Sequence, residues 1–224
     1  HLADCLNGDF KDSKTYQAEG QINSDIAVNA CEYYKGLFEF SPPGASAWFY
    51  DEVNNAVHTG LVAMGINWYY FFRAHNDPTV NVDYADKMGY ALLPGEKGAD
   101  GVFRQFQSVG GQGIGISKYS KNPEEAWKFI EWFMSKDNQT KWVAAGAQTG
   151  RIDVMADPSY STAQPFNATF PTAMTTVKDY WHLIEYPQLL DIYQKYLNLA
   201  ISGSMTCKEA LDKTAAEQQP ILDK

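Results

Sequence analysis

The residues that most often build catalytic or metal sites do not occur here at the spacings that such sites use. No pair has the HxxxH or HExxH spacing of a zinc site among the four histidines, which are His1, His58, His75 and His182. No acidic run matches a calcium-binding loop, and Ser117 lacks the second glycine of a nucleophile elbow. The sequence therefore predicts no metal and no cofactor.

Two adjacent carboxylates are the nearest approach to an acid–base site. Asp51 and Glu52 follow the aromatic residues Trp48 and Tyr50, and glycoside hydrolysis uses a pair of carboxylates. Neighbouring residues at a helix start point in different directions, however, and the helix dipole favours acidic residues there. A structural role is the favoured interpretation, and a glycoside hydrolase is kept as an alternative.

A glycine-rich stretch, GGQGIG, contains Gly110, Gly111, Gly113 and Gly115. It does not have the GxGxxG spacing of a dinucleotide-binding loop. Glycine lets one backbone approach another backbone or a ligand closely. We therefore expect a close approach at this stretch rather than nucleotide binding.

The stretch HTGLVAMGINW, at 58–68, is expected to position the main binding residue. Its run at 61–66 is apolar almost throughout, which is typical of a strand covered on both faces. Asn67 ends the run and Trp68 follows it. Ligands of open α/β sheets lie beyond the carboxyl ends of strands, so we expect Trp68 to form the flat wall of a pocket. A tryptophan that caps the core is the alternative.

Helix signals lie on both sides of this stretch. Ser24 is the predicted N-cap of a helix that ends before Pro42. Further helices are predicted at 51–59, from 123 onward, at 137–146, over 190–201 and from the capping box of Thr206 and Glu209 onward. The helix that begins at 123 is expected to bury a stripe made of Ala126, Phe129, Ile130 and Phe133. A short strand is predicted in KMGYALLPG.

The composition is that of an ordinary globular protein. Of the 224 residues, 45% are hydrophobic and 20% charged, and the net charge is −9. This charge argues against nucleic acid or an anionic membrane as a partner. The 14 tyrosines, 12 phenylalanines and 6 tryptophans suit a surface for something partly apolar and partly hydroxylated.

The cysteines and the start of the chain bear on its origin. Cys5, Cys31 and Cys207 have no CxxC spacing, so one disulfide with a free thiol and three buried thiols are both open. The chain begins at His1 without methionine or a signal peptide, which indicates a processed or truncated product. No apolar run approaches the roughly 18 residues that span a membrane.

Seven segments, taken in order, resemble the later half of a bacterial extracellular solute-binding protein of family 1, the maltose-binding-like class. They are CEYYKGLF, PPGASAWFYDEV, AMGINW, YALLPG, GGQGIGISKYSKNPEEAWKFIEWF, AGAQTGR and ALDKTAAEQQPIL. The most specific part is the ordered pair AMGINW and SKNPEEAWKFIEWF. The proteins of this class are ligand receptors of ABC importers for sugars, and the similarity covers the chain from about Asn23 onward.

The resemblance implies an α/β fold of the type II periplasmic-binding class, with a mixed sheet flanked by helices in each of two lobes. It also implies that the amino-terminal lobe is largely missing. Residues 1–86 and 137–224 would build the carboxy-terminal lobe, while 87–136 would belong to the other lobe. This orphaned segment could find strand partners by domain swapping or self-association with another copy.

The resemblance assigns several binding residues. Trp68 matches the tryptophan that stacks on a sugar ring, and Gly110 and Gly111 match a glycine pair whose backbone lines the cleft. Arg151 matches an arginine or polar position after a glycine-rich stretch. Tyr186 lies where maltose-binding members carry a second tryptophan, and it could substitute for that residue.

The chemistry of a sugar points to further residues independently of the resemblance. A sugar offers apolar C–H faces and a rim of hydroxyls, so it needs aromatic planes and fixed polar groups. Trp48 and Tyr50 could supply planes beside Trp68, while Asp51, Gln112 and Arg151 could bind the hydroxyls.

The predicted function is therefore that of a carbohydrate receptor and not of an enzyme. Its expected partners are a small-molecule sugar and the membrane permease of an ABC importer. Its expected location is periplasmic or extracellular, with a lipid anchor in a Gram-positive cell. The alternatives are a glycoside hydrolase or glycan-binding domain, and a receptor for glycerol phosphate or another polyol in which Arg151 binds the anion.

Overall fold

The computed structural model describes residues 13–98, 100–108, 110–111, 113–178 and 183–224. Helices account for most of its regular structure. Numbered in chain order, they are α1 (Asp25–Leu37), α2 (Tyr50–His58), α3 (Tyr69–His75), α4 (Pro123–Phe133), α5 (Lys136–Ala144), α6 (Ile152–Met155), α7 (Pro158–Ala163), α8 (Phe170–Thr175), α9 (Tyr186–Ile201) and α10 (Cys207–Leu222). Single turns of 3-10 helix lie at Ser13–Thr15, Phe38–Phe40, Ala45–Ala47, Ala85–Lys87 and Pro165–Ala168.

The strands of the described residues are short. They are β1 (Glu96–Lys97), β2 (Phe103–Arg104), β3 (Gln107–Ser108) and β4 (Val177–Lys178). β1 pairs with β2 in antiparallel orientation, and β3 pairs with β4 in parallel orientation. Both strand orientations of a mixed α/β fold are therefore present, in two separate two-stranded sheets.

The chain divides into two compact units. Unit 1 consists of residues 1–49 and 179–224, and unit 2 consists of residues 50–178. Unit 2 is therefore inserted, along the sequence, between the two parts of unit 1. The boundaries at 86 and 136 that the resemblance implies concern the lobes of longer proteins, and they stay a prediction.

The helices α1, α9 and α10 form the interior of unit 1. A disulfide joins Cys31 of α1 to Cys207 of α10, with Cα atoms 5.9 Å apart. The buried cluster around it consists of Cys31, Tyr196, Ala200, Cys207, Ala210 and Leu211. Of the two cysteine arrangements that the sequence left open, the disulfide is formed, while Cys5 lies outside the described residues.

The helix starts of unit 1 follow the sequence signals. The Ala27 N–H donates to Ser24 Oγ (3.4 Å) at the start of α1. At the start of α10, the Glu209 N–H donates to Thr206 Oγ1 (3.2 Å), and the Thr206 N–H donates to the Glu209 carboxylate (3.0 Å). The predicted N-cap and capping box are confirmed, because both depend only on residues close in sequence.

Unit 2 is built from short helices that pack through aromatic rings. Phe166 is fully buried, and its ring centroid lies 6.0 Å from that of Phe72 and 5.6 Å from that of Tyr90. The Asn76 side chain donates to the Tyr90 hydroxyl (2.6 Å), and burial raises the pKa of this phenol to about 12. These contacts fix α3, which carries Phe72, to the interior of the unit.

The predicted strand at 61–66 is wrong. The segment has no regular secondary structure, and its side chains are largely exposed, with Met64 at 88%. A continuous apolar run becomes a buried strand only where other strands pair with its backbone and elements cover both faces. No strand of the described ranges pairs with it. The strand predicted in KMGYALLPG is absent for the same reason, since 88–94 belongs to no described ladder.

The helix predicted from residue 123 forms, but its buried stripe does not. α4 begins at Pro123 after the N-cap residue Asn122, as the sequence indicates. None of its residues is buried, and Phe129 is 53% exposed. The helical periodicity is present, but no described element covers the apolar face enough to bury it.

Candidate functional site

Trp68 lies at the start of α3, at the end of the coil that joins α2 to α3. Its side chain is 45% exposed, and its backbone is extended, with φ −75° and ψ 148°. The coil is tied to α2 because the Val62 N–H donates to the Ala56 carbonyl (3.2 Å). Trp68 is therefore an exposed aromatic residue at a defined position and does not lie within a closed interior, while its role in a pocket stays a prediction.

A pair of asparagines fixes the backbone of Trp68. The Asn67 amide donates to Asn54 Oδ1 (2.9 Å), and Asn67 Oδ1 accepts the Trp68 N–H (2.9 Å). Asn54 is buried on α2. The Asn67 side chain thus connects a buried residue of α2 to Trp68, the N-cap residue of α3.

The glycine stretch reaches the same ring. A Cβ atom at Gly110 would lie 2.7 Å from Trp68 Nε1, so the indole edge occupies the space of a side chain there. Gly111 is exposed, and a Cβ atom on it would meet no atom within 4 Å. The structure therefore brings Trp68 and Gly110 together, through a side chain rather than through the approach of a second backbone or a ligand that the sequence predicts. Gln112 lies outside the described residues.

Further rings extend the aromatic surface beside Trp68. Tyr50 stacks on Phe71 with centroids 5.0 Å apart and planes inclined by 23°. The ring centroid of Phe71 lies 6.3 Å from that of Trp68 and 5.2 Å from that of Tyr70. Sequence reasoning did not single out Phe71, although it stands only three residues after Trp68, in the first turn of α3.

The two carboxylates at the start of α2 are exposed. Asp51 and Glu52 lie in the first turn of the helix, where the helix dipole stabilises negative charge. Their positions agree with the structural interpretation. The part of Asp51 in binding a ligand stays a prediction.

Arg151 is engaged in contacts within unit 2. Its Nε and Nη2 donate to the two carboxylate oxygens of Asp153 (2.9 and 2.7 Å), and its Nη1 donates to the Met134 carbonyl (2.9 Å). The hydrogen bond from Arg151 lowers the pKa of the Asp153 carboxyl group. A ligand that uses this guanidinium would have to share it with Asp153.

Two of the predicted site residues belong to unit 1. Trp48 is half-buried and ends the 3-10 turn Ala45–Ala47. Tyr186 is the first residue of α9 and packs against a buried cluster that contains Leu183 and Leu189. Their participation in a site with Trp68 stays a prediction.

A histidine pair joins the ends of the two helices that flank the Trp68 coil. His58 Nε2 lies 2.8 Å from His75 Nδ1, so one ring donates a hydrogen bond to the other. Burial, and secondly the neighbouring His58, lower the pKa of His75 to about 4, and burial also lowers the pKa of His58. The pair is therefore neutral near pH 7. No group of three or more metal-binding side chains occurs among the described residues.

Sequence comparison places the chain among transport proteins. The family model described as bacterial extracellular solute-binding protein matches residues 2–140. A probable amino-acid ABC transporter periplasmic-binding protein of Sinorhizobium fredii is 24% identical over 175 residues, which are 78% of this chain and 38% of that protein. A probable ABC transporter-binding protein of Deinococcus radiodurans is 27% identical over 147 residues, covering 65% of this chain and 34% of that protein. The chain thus spans little more than a third of the length of these relatives.

Structural comparison extends over most of the chain. Maltose-bound MalE3 of T. maritima matches with a TM-score of 0.76 and 25% identity, covering 89% of this chain and 51% of that one. An ABC transporter solute-binding protein of Agrobacterium radiobacter, in complex with ribitol, matches with a TM-score of 0.76 and 26% identity. The match covers 89% of this chain and 50% of that one. An ABC transporter solute-binding protein of Thermotoga lettingae, bound with α-D-tagatose, matches with a TM-score of 0.73 and 25% identity. The match covers 90% of this chain and 50% of that one. In each case the chain corresponds to about half of the solved structure.

Proposed function

Because this chain belongs to the bacterial extracellular solute-binding protein family and has the fold of type II periplasmic-binding proteins, we propose that it forms part of the ligand receptor of an ABC importer. Its ligand is a neutral sugar or polyol, and its protein partner is the membrane permease. The relatives named for ABC transport support the partner, and the solved structures with maltose, tagatose and ribitol support the ligand class.

The half-exposed indole of Trp68 is the observation that carries the ligand class. A sugar binds best to a flat apolar plane that is held in place before the ligand arrives, because ordering the plane costs no further entropy. Trp68 meets this need, since its backbone is fixed through Asn67 and its ring edge lies against Gly110. Phe71 and Tyr50 continue the aromatic surface.

A charged ligand fits the same surface less well, because it needs an oppositely charged group. The relative in Sinorhizobium fredii is named for amino acids, and an amino acid needs a cation for its carboxylate and an anion for its ammonium group. A polyol phosphate needs a cation as well. Arg151, the candidate cation, already binds both oxygens of Asp153. A neutral, hydroxylated ligand requires no such rearrangement.

The receptor acts outside the cytoplasm. The Cys31–Cys207 disulfide supports this location, because structural disulfides persist in oxidising compartments. None of the described helices has the length and apolar character needed to cross a bilayer. Residues 1–86 and 137–224 contribute to one lobe of the receptor and 87–136 to the other, as the resemblance implies. Residues 87–136 could also pair with another copy of the chain, which would give self-association by domain swapping.

Titration calorimetry on the complete encoded protein tests the proposal. The ligands are maltose, tagatose, ribitol, glycerol phosphate and a set of amino acids, and we expect heat only with a neutral sugar or polyol. Trp68→Ala should weaken binding by about 30-fold, which corresponds to about 2 kcal/mol for a central aromatic anchor.

Trp142→Ala is the matched control, because Trp142 is also a tryptophan of unit 2 with 45% exposure. It should leave the affinity unchanged. Unchanged affinity in Trp68→Ala would remove Trp68 from the site, and binding of amino acids alone would overturn the ligand class. Turnover of aryl glycosides would instead favour the hydrolase alternative.

A further inference from the structure

Gly110 and the indole of Trp68 occupy adjoining space. A Cβ atom at position 110 would lie 2.7 Å from Nε1 and 3.2 Å from Cδ1 of the ring, which is closer than such atoms approach in real structures. The five-membered part of the indole therefore fills the volume that any other residue at 110 would use.

The ring of Trp68 is what a side chain at position 110 would meet first. The three atoms closest to a Cβ atom there all belong to the indole, and no backbone atom is among them. The contact with the ring therefore disfavours a side chain at this position.

The ring has little freedom to move aside without a change of rotamer. The Trp68 N–H is held by Asn67 Oδ1, and Asn67 is held by the buried Asn54. The ring of Phe71 lies 6.3 Å from the indole on the helix that Trp68 begins. A methyl group at 110 would therefore be relieved mainly by rotation of the indole.

We infer that Gly110 is a positioning residue for Trp68: its missing side chain sets where the indole plane lies, and hence which ligand that plane accepts. Gly110 acts on the ligand through the ring rather than through a contact of its own backbone. The second half of this statement rests on the function proposed above, while the first half does not.

The test compares Gly110→Ala with Gly113→Ala in the complete encoded protein. A Cβ atom at Gly113 would meet no atom within 4 Å, so this variant controls for an added methyl group in the same stretch. Both are labelled with 5-fluorotryptophan, and the fluorine NMR signal of Trp68 is assigned with Trp68→Phe.

Gly110→Ala should shift the Trp68 signal and weaken the affinity for the best sugar or polyol by about tenfold, as expected when an anchor is misplaced. Gly113→Ala should change neither quantity. In a Trp68→Phe background, Gly110→Ala should add little further loss of affinity, because residues that act through one contact are not additive.

An unchanged Trp68 signal in Gly110→Ala, or an equal shift in Gly113→Ala, would overturn the inference. A full additional loss in the Trp68→Phe background would overturn it as well, since Gly110 would then act on the ligand directly. If Gly110→Ala does not fold, the Trp68→Phe double variant decides: restored folding supports the steric contact, and unrestored folding refutes it. A shifted signal in a protein that binds no sugar or polyol would refute the proposed function alone.

Discussion

The interiors of the two units differ in the side chains that lie at their centres. In unit 1, small residues such as Ala200 and Ala210 are fully buried between helices that a disulfide also joins. In unit 2, short helices pack ring against ring around Phe166, and other rings, such as that of Trp68, reach the surface. Unit 1 exposes aromatic rings as well, such as Phe40 at 88%, so exposure alone does not single out unit 2. What distinguishes Trp68 is the hydrogen bond that holds its backbone to Asn67 and the close approach of its ring to Gly110.

Of the changes predicted here, loss of the disulfide is expected to lower the stability of the folded protein most, and to do so mainly in unit 1. Cys31 and Cys207 are 176 residues apart, and closing so long a loop in the unfolded chain is worth about 5 kcal/mol in the loop-entropy model. Cys31→Ala combined with Cys207→Ala should reduce hydrogen-exchange protection in α1 and α10 more than in α7. Cys5→Ala is the control, and equal loss in both units would show that they do not differ in this respect.

In unit 2, truncation of the buried Phe166 side chain is expected to cause a large loss of stability. Phe166 has no exposed surface, and Phe166→Ala should cost about 4 kcal/mol because it leaves a cavity among aromatic rings. Urea unfolding gives the free energy. Phe129→Ala, at a ring that is 53% exposed, should cost far less, and a similar cost for both variants would contradict the assigned core.

Acid is expected to weaken unit 2 through the histidine pair. The pKa of His75 is about 4 in the folded chain and 6.5 in the unfolded chain, so the unfolded chain binds more protons between these values. The stability that neutral His75 contributes is complete above pH 6.5 and is lost as the pH falls towards 4, by up to about 3 kcal/mol. Urea unfolding of wild type and His75→Gln between pH 7.5 and 4 measures the difference, and parallel profiles would refute it.

Removal of the capping box at α10 is the smallest of these effects. Thr206→Ala deletes the acceptor for the Glu209 N–H and should lower the free energy of unfolding by about 1 kcal/mol. Glu209→Gln is the matched control, since glutamine can also complete a capping box. A greater loss in Glu209→Gln than in Thr206→Ala would show that charge at the helix start matters more than the hydroxyl acceptor.

Local signals in the sequence predicted α1, α2, α4, α5, α9 and α10, but not the short helices α3, α6, α7 and α8 of unit 2. Ser24, Pro123 and the pair of Thr206 and Glu209 mark helix starts in the structure. Each depends on hydrogen bonds or dihedral angles within one turn, which neighbouring residues determine. The resemblance to solute-binding proteins is likewise confirmed by the family match over 2–140.

Features that depend on distant partners could not be predicted in the same way. The run at 61–66 has the composition of a buried strand, but a strand also needs partners, and composition does not supply them. The pairing of Cys31 with Cys207 and the contact between Trp68 and Gly110 are also long-range. The contacts of these residues therefore could not be predicted from the sequence, and the roles of the candidate site residues in binding stay a prediction.

The position of the disulfide has a consequence for the order in which the protein matures. The two cysteines lie on either side of the whole of residues 50–178, so the ribosome must complete that segment before Cys207 exists. Until then Cys31 has no partner at Cys207, and Cys5 is the other cysteine of this sequence made by that stage. The covalent closure of unit 1 thus has to wait for synthesis of the inserted unit.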